Sequence, residues 1–154
     1  MNLIKIKTMI NDTYLLSKLS SADAALKQKY AAIEPYYRRI FDLVATHYKI
    51  NPIWILYKTR KQPICEARQI VQYIIFQQTD LDWKSIAVMT GSTDHTTAIH
   101  SIRHISDLMQ TEEDTRAAVT SFLNQTPKML VKQKSRHGII FAPQITSLTF
   151  AMNR

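Results

Sequence analysis

The residues best suited to specific chemistry lie in the stretch GSTDHTTAIHSIRHI, residues 91 to 105. An apparent helix starts there on mediocre helix formers: Thr93, Asp94, His95, Thr96 and Thr97. Asp94 can accept a hydrogen bond from a cytosine amino group, and His95 can donate or accept at a base edge. Threonine offers a hydroxyl group and a methyl group that suits a thymine methyl. These side chains are better suited to reading bases than to filling a core.

A second cluster is the basic loop YKTRKQP, residues 57 to 63, in which Lys58, Arg60 and Lys61 fall within four positions. Lysine and arginine side chains of this kind bind phosphate groups. The chain as a whole carries a net charge of +8, from 20 basic and 12 acidic residues. Nucleic acid is the commonest acidic partner of a small basic domain and is therefore the predicted partner. Most of the excess positive charge lies in residues 126–154, which hold five basic residues and no acidic one.

Catalytic, metal and cofactor sites are not predicted. His100 and His104 are spaced i, i+4 as zinc ligands can be, but no glutamate or cysteine completes the set. We expect His100 to be packed or hydrogen-bonded and His104 to face solvent. Neighbouring residues such as Asp94 and His95 diverge on a helix, and no matching nucleophile is apparent. The sequence also lacks the GxxxxGK[ST] phosphate loop, so the protein is predicted not to be an enzyme.

The cellular compartment follows from three negative features of the sequence. Cys65 is the only cysteine, so no internal disulfide forms and a reducing compartment is the default. No apolar run approaches the roughly 18 residues that span a bilayer, and residues 1 to 10 lack a signal-peptide core. The prediction is a cytoplasmic, nucleoid-associated protein without membrane contact.

Mostly helices are predicted to position these clusters. Leucines at near-helical spacing indicate one or two helices over residues 14 to 33, and Pro35 suits the first turn of the next helix. The apolar stripe of that helix is predicted to consist of Tyr36, Ile40, Leu43, Val44 and Tyr48. Asn51 and Pro52 start a short turn of helix. The segment Ile64 to Gln78 follows the basic loop and has the apolar pattern of a central helix, with Ala67, Ile70, Val71, Ile74 and Ile75 inside.

The next two helices are predicted to form a helix-turn-helix. Asp82 can cap a short helix from Trp83 to Thr90, and Gly91 suits the position just past its end. The helix that follows has an apolar inner side made of Ala98, Ile99, Ile102, Ile105 and Met109. In a helix-turn-helix, the first residues of the second helix contact base edges in the major groove. The weak helix formers occupy those positions.

From Tyr36 to Gln125, the chain resembles the C-terminal DNA-binding domain of the bacterial replication initiator DnaA. The segment DHTTAIHSIRHI looks like the family signature DHTTVxHxxxxI, and INPIWILYKTRK, EARQIVQYI and DWKSIAVMTG accompany it in order. The resemblance implies an all-α, Trp-repressor-like bundle with extra N-terminal helices and a basic C-terminal tail. It also implies recognition of DnaA-box-like sites in replication-origin recognition or its regulation.

Residue roles follow from the resemblance. Asp94, His95 and Thr96 match the major-groove base contacts, and Thr97 belongs to the same signature. Arg60 matches the arginine that enters the minor groove. Phosphate contacts are implied at three further basic residues: Lys58, Lys61 and Arg68.

Two departures from the family matter. Thr93 stands where the family usually has an arginine that contacts DNA, and Thr59 and Gln62 occupy sites in the loop that are often basic. Fewer phosphate contacts predict a lower affinity for every sequence and a weaker salt dependence. Only 35 residues precede the resembling region, so we expect a stand-alone module without the ATPase part of an initiator.

The predicted organisation has an N-terminal helical extension (1–34), a DNA-binding domain (35–126) and a basic, partly apolar tail (127–154). The extension either packs on the domain or docks a homodimer or replication partner through Leu15, Leu16 and Leu19. The tail is either disordered or a phosphate-binding arm, and its apolar part packs on the helices or on another chain. The alternative to specific DNA binding is a protein-interaction module that retains the fold and binds DNA weakly or nonspecifically.

Overall fold

A computed structural model describes residues 13–92 and 94–129 of the chain. Within these ranges the regular elements are seven α-helices and one 3₁₀ helix, and an isolated parallel β-bridge joins Thr79 and Met129. The elements are α1 (Thr13–Ser21), α2 (Asp23–Ala31), α3 (Pro35–Tyr48), the 3₁₀ helix (Pro52–Leu56), α4 (Ile64–Gln78), α5 (Trp83–Met89), α6 (His95–Thr111) and α7 (Glu113–Gln125). The all-α fold class predicted from the sequence is confirmed.

Helix α4 is the centre of the bundle and has the predicted limits, Ile64–Gln78. It contacts α3, the 3₁₀ helix, α5, α6 and α7. All five apolar residues predicted to face inward are buried, because neighbouring elements surround the helix: Ala67, Ile70, Val71, Ile74 and Ile75. This helix supports both segments that the sequence predicts to contact DNA, the basic loop and the start of α6.

Helix α3 starts on Pro35 as predicted, but its buried face is rotated from the expected one. Tyr37 and Phe41 are buried, whereas Tyr36 is only half-buried. Phe41 fills the core, while the hydroxyl of Tyr36 donates a hydrogen bond to the carbonyl of Pro127 at the surface. The predicted stripe was therefore partly wrong, although Ile40, Val44 and Tyr48 are buried as expected.

The N-terminal helices α1 and α2 share the hydrophobic core of the bundle. Leu15 and Leu19, two of the three leucines proposed as a docking face, are buried in it, and Leu26 of α2 joins them. Only Leu16 remains at the surface, with 37% of its area exposed. Most of the predicted docking face is thus occupied by the protein's own core.

Helices α5 and α6 form the predicted helix-turn-helix. The carboxylate of Asp82 accepts a hydrogen bond from the backbone N–H of Ser85 at 3.0 Å and so caps α5. On α6, Ala98, Ile102 and Ile105 are buried as predicted, whereas Ile99 and Met109 are only partly buried. Helix α6 begins at His95, two residues after the expected start, because Asp94 is its N-cap.

The end of the described chain is fixed against α4. The side chain of Gln78 donates hydrogen bonds to the carbonyls of Leu123 (3.0 Å) and Thr126 (2.6 Å). The backbone carbonyl of Gln78 accepts a hydrogen bond from the N–H of Met129 at 2.7 Å. Most of the predicted tail, residues 130–154, lies outside the described residues, as do residues 1–12 and Thr93. No helix in the described ranges is long and apolar enough to cross a membrane.

Candidate nucleic-acid interface

The start of α6 presents polar side chains to solvent. Asp94, His95, Thr96 and Thr97 are all exposed. One carboxylate oxygen of Asp94, Oδ1, accepts a hydrogen bond from the backbone N–H of Thr96 at 3.1 Å and lies 3.6 Å from Nδ1 of His95. Asp94 therefore caps the helix, which explains why a weak helix former is tolerated at this position.

Gly91 sets the turn between α5 and α6. Its φ of +85° lies in the left-handed region that favours glycine. A Cβ atom at this position would lie 2.6 Å from the backbone carbonyl oxygen of Leu56, at the end of the 3₁₀ helix. The turn therefore sits directly on the segment that leads into the basic loop.

A buried hydrogen bond also ties the turn to α4. The amide nitrogen of Gln72, which is fully buried, donates to the hydroxyl oxygen of Thr90 at 2.7 Å. The Thr90 hydroxyl donates in turn to the carbonyl of Ile86 at 2.8 Å. Sequence reasoning missed this pair, since only a polar residue within the apolar pattern of α4 marks it.

The basic loop follows the 3₁₀ helix along the chain and presents Lys58, Arg60 and Lys61 at the surface. The hydroxyl oxygen of Thr59 accepts a hydrogen bond from the N–H of Lys61 at 3.1 Å. The side chain of Gln62 accepts one from the N–H of Glu66 at 3.0 Å, which joins the loop to the start of α4. Both polar residues that replace basic ones in the family pattern thus have structural contacts.

Arg68 fixes the backbone of the basic loop through hydrogen bonds. Its guanidinium donates hydrogen bonds to the carbonyls of Ile55 (2.9 Å) and Thr59 (3.1 Å) and also to that of Tyr57. Burial lowers the pKa of this group from its ordinary value, although an arginine stays protonated in proteins. The geometry gives Arg68 a role that sequence reasoning did not predict, namely to fix the shape of the loop. Its predicted phosphate contact stays a prediction.

A groove of about 810 Å³ separates the loop from α6. Six residues that supply charged or polar groups to its walls are Lys58, Arg60, Arg68, Thr97, His100 and His104. His100 is exposed in this wall, so the expectation that it would be packed was wrong, whereas His104 is exposed as predicted. Among the described residues, no cluster of three or more histidine, cysteine or acidic side chains could hold a metal ion.

Four of the predicted residues line this groove, namely Lys58, Arg60, Arg68 and Thr97. The other described ones, Lys61, Asp94, His95 and Thr96, are exposed but are not among its wall residues. The basic loop contributes positive charge, and the backbone N–H groups at the start of α6 add a site that favours phosphate. The side chains predicted to read bases follow immediately on that helix. A fold of this kind, with an exposed polar start on its second helix, defines a helix-turn-helix module of the nucleic-acid-binding class.

Comparison with known proteins finds a family that part of the chain resembles. Residues 37–105 match the family described as the bacterial DnaA protein helix-turn-helix. The resemblance noted in the sequence is thus confirmed for this region. The family supports DNA binding in general, and the domain is a binding module rather than a catalytic one.

Several similar curated proteins carry the name chromosomal replication initiator protein DnaA. The protein of Synechocystis sp. is 34% identical over 82 residues, which cover 53% of this chain and 18% of the relative. That of Zymomonas mobilis is 32% identical over 98 residues (64% and 19%), and that of Lactobacillus johnsonii is 31% identical over 104 residues (68% and 22%). The chain spans about a fifth of the length of these relatives.

Proposed function

We propose that this domain binds double-stranded DNA sequence-specifically, at sites like the boxes that the resemblance to initiators implies. Asp94, His95 and Thr96 contact base edges in the major groove, and Arg60 enters the adjacent minor groove. The observation that carries this proposal is the exposed, capped start of α6 beside an exposed basic loop. Side chains held out of the core by a defined cap are available to a ligand.

Backbone contacts complete the proposed interface. Lys58, Lys61 and Arg68 anchor phosphates, and Thr97 lies near a base or phosphate. Arg68 can contribute only the donors that its three loop carbonyls leave over, so its main effect on binding passes through the loop. Thr93, outside the described residues, supplies no charge where the family has arginine, and this predicts weaker binding at every site.

The biological setting we propose is replication-origin recognition or its regulation, because the similar curated proteins are named as replication initiators. The sequence contains no phosphate loop of the GxxxxGK[ST] type, so we propose that this module acts without ATPase activity of its own. It would occupy initiator sites as a competitor, mark an origin, or regulate transcription from such sites.

The test is a titration of the protein into a labelled duplex that contains an initiator-type box and into a scrambled duplex, at two salt concentrations. We expect a preference for the box, which His95→Ala reduces by about 1 to 3 kcal/mol, the usual discrimination of a good base contact. The matched control is Gln110→Ala, since Gln110 is exposed on the same helix but does not line the groove. It should leave the preference unchanged.

Three results would contradict the proposal. Equal affinity for both duplexes, sensitive only to salt, would indicate nonspecific binding through basic residues. A preference that survives His95→Ala would show that other residues read the bases. Equal, weak binding would instead favour the protein-interaction module, which retains the fold and docks a replication or regulatory partner.

A further inference from the structure

An apolar groove of about 930 Å³ lies on the other side of the helix-turn-helix. Most of its wall residues are apolar, and five of these come from widely separated parts of the chain: Ile33, Leu56, Leu81, Val88 and Met129. Two charged residues, Lys29 and Glu34, also line it. Gly91 and Ser92 of the turn also line it. This groove therefore borders the same turn as the candidate DNA site but has a different chemical character.

Val88 is the unusual residue of the groove. Its side chain is 64% exposed, although its neighbours Ile86 and Ala87 on α5 are buried. Three large hydrophobic side chains are exposed in the described part of the chain, and of these Val88 alone lines the groove. Together with the other apolar wall residues, Val88 forms a contiguous apolar surface of the kind that docks another segment.

The backbone leads the C-terminal part of the chain into this groove. Met129, the last described residue, is itself one of the wall residues. Its N–H donates to the carbonyl of Gln78 at 2.7 Å, and its bridge with Thr79 is parallel. At Met129 the chain therefore runs in the same direction as the segment from Thr79 to Leu81, and Leu81 is another wall residue.

The sequence that follows has the composition of an occupant. Residues 139–150 read IIFAPQITSLTF and contain no charged side chain. Nine residues, 130 to 138, separate this segment from Met129. At about 3.3 to 3.6 Å per extended residue they reach roughly 30 Å, which is ample for a return to the adjacent groove.

We propose that residues 139–150 occupy the apolar groove of their own chain. Docking there covers Val88 and satisfies an apolar segment that would otherwise face water. In the sequence, the basic residues Lys132, Lys134 and Arg136 lie between Met129 and this segment.

The experiment attaches a benzophenone photo-cross-linker to Val88→Cys in a full-length Cys65→Ser background. Irradiation followed by digestion and mass spectrometry then maps the cross-linked peptides. The matched control is Glu113→Cys, since Glu113 is exposed and lies outside the groove. Burial of even one large apolar side chain predicts at least about tenfold more cross-linking to residues 139–150 from position 88 than from position 113.

A substitution in the apolar segment and an isotope-mixing experiment distinguish the possible results of the cross-linking. Ile145→Asp should reduce the cross-link from position 88 to the control level, because a carboxylate does not enter an apolar groove without cost. Mixing ¹⁵N-labelled and unlabelled protein distinguishes the two sources of the segment, and products within one chain support the proposal. Mixed-isotope products would assign the groove to a second copy, and no enrichment over position 113 would show that the segment does not dock there. Either result overturns the proposal.

Discussion

The basic loop follows Leu56 along the chain, and the turn of the helix-turn-helix packs against Leu56. The two regions are nevertheless stabilised in different ways. The loop owes its shape to one charged side chain, because Arg68 binds three of the carbonyls around it. The turn owes its shape to the backbone, because Gly91 adopts a conformation that other residues rarely take and touches Leu56. A change of charge should therefore disturb the loop, and a change of shape should disturb the turn.

In both regions, the residues proposed to bind DNA differ from the residues that hold the backbone in place. Arg60 and His95 are exposed and available to a ligand. In contrast, the guanidinium of Arg68 and the amide nitrogen of Gln72 donate hydrogen bonds within the protein. Both positioning residues come from α4, the helix with the most complete burial. Helix α4 thus supports the candidate interface but contributes few of the exposed side chains that form it.

Gly91→Ala should have the largest effect. The added methyl group meets the carbonyl oxygen of Leu56 at 2.6 Å, and alanine is strained at a φ of +85°. We expect a loss of about 2 to 4 kcal/mol in the free energy of unfolding, as strain and overpacking combine. Urea denaturation measures it.

Ser92→Ala is the matched control for this prediction, since the residue is adjacent and already has a Cβ atom. It should change the free energy of unfolding only slightly. A stable Gly91→Ala protein with unchanged DNA affinity would show that the turn accommodates the methyl group, and the distinction between the two regions would fail.

Arg68→Met should have the next largest effect. It removes a guanidinium that binds three carbonyls, and hydrogen bonds to charged groups predict a loss of about 1.5 to 3 kcal/mol in stability. Arg68→Lys should rescue little, because an ammonium group lacks the planar fork that reaches several acceptors. Denaturation and DNA titration together measure the two consequences.

A double-mutant cycle with Arg60→Ala tests whether Arg68 acts through the loop. If it does, the effects of the two changes on DNA affinity are smaller together than their sum. Additive effects on affinity, unchanged stability and a salt dependence lowered by about 0.9 in slope would instead identify Arg68 as a phosphate contact.

Asp94→Ala should have the smallest effect on stability, about 1 kcal/mol, because it removes the N-cap of α6. Asp94→Asn separates the two roles of this residue. Asparagine caps a helix about as well as aspartate, so stability should be kept, but its amide changes what is offered to a cytosine amino group. Loss of box preference without loss of stability is the expected result, and equal stability losses in both variants would contradict it.

Much of the fold was readable in the sequence where one strong pattern had no competitor. The limits of α4 were predicted correctly because its apolar residues recur at helical spacing between Pro63 and a polar stretch. Gly91 and Asp82 marked the turn for similar reasons. The face of α3 was harder, since Tyr36 and Tyr37 are adjacent aromatics and periodicity alone does not choose between them.

The positioning residues could not be predicted in the same way. A basic residue near a basic loop suggests a phosphate contact, and only the three-dimensional path of the 3₁₀ helix reveals that Arg68 meets carbonyls instead. His100 was misjudged for a related reason. Its place within a family signature suggested packing, whereas the helix turns it into the groove wall.

The close approach of Gly91 to Leu56 fixes the distance between the two regions proposed to contact DNA, namely the basic loop and the start of α6. In the proposed complex, with one contact in the major groove and another in the neighbouring minor groove, that distance sets a spacing along the duplex. One base pair inserted between the two contacted positions rotates them by about 34°, given about 10.5 base pairs per turn. The domain would then measure the phase of its site as well as its sequence, and a box with correct bases at the wrong spacing would lose one of its two contacts.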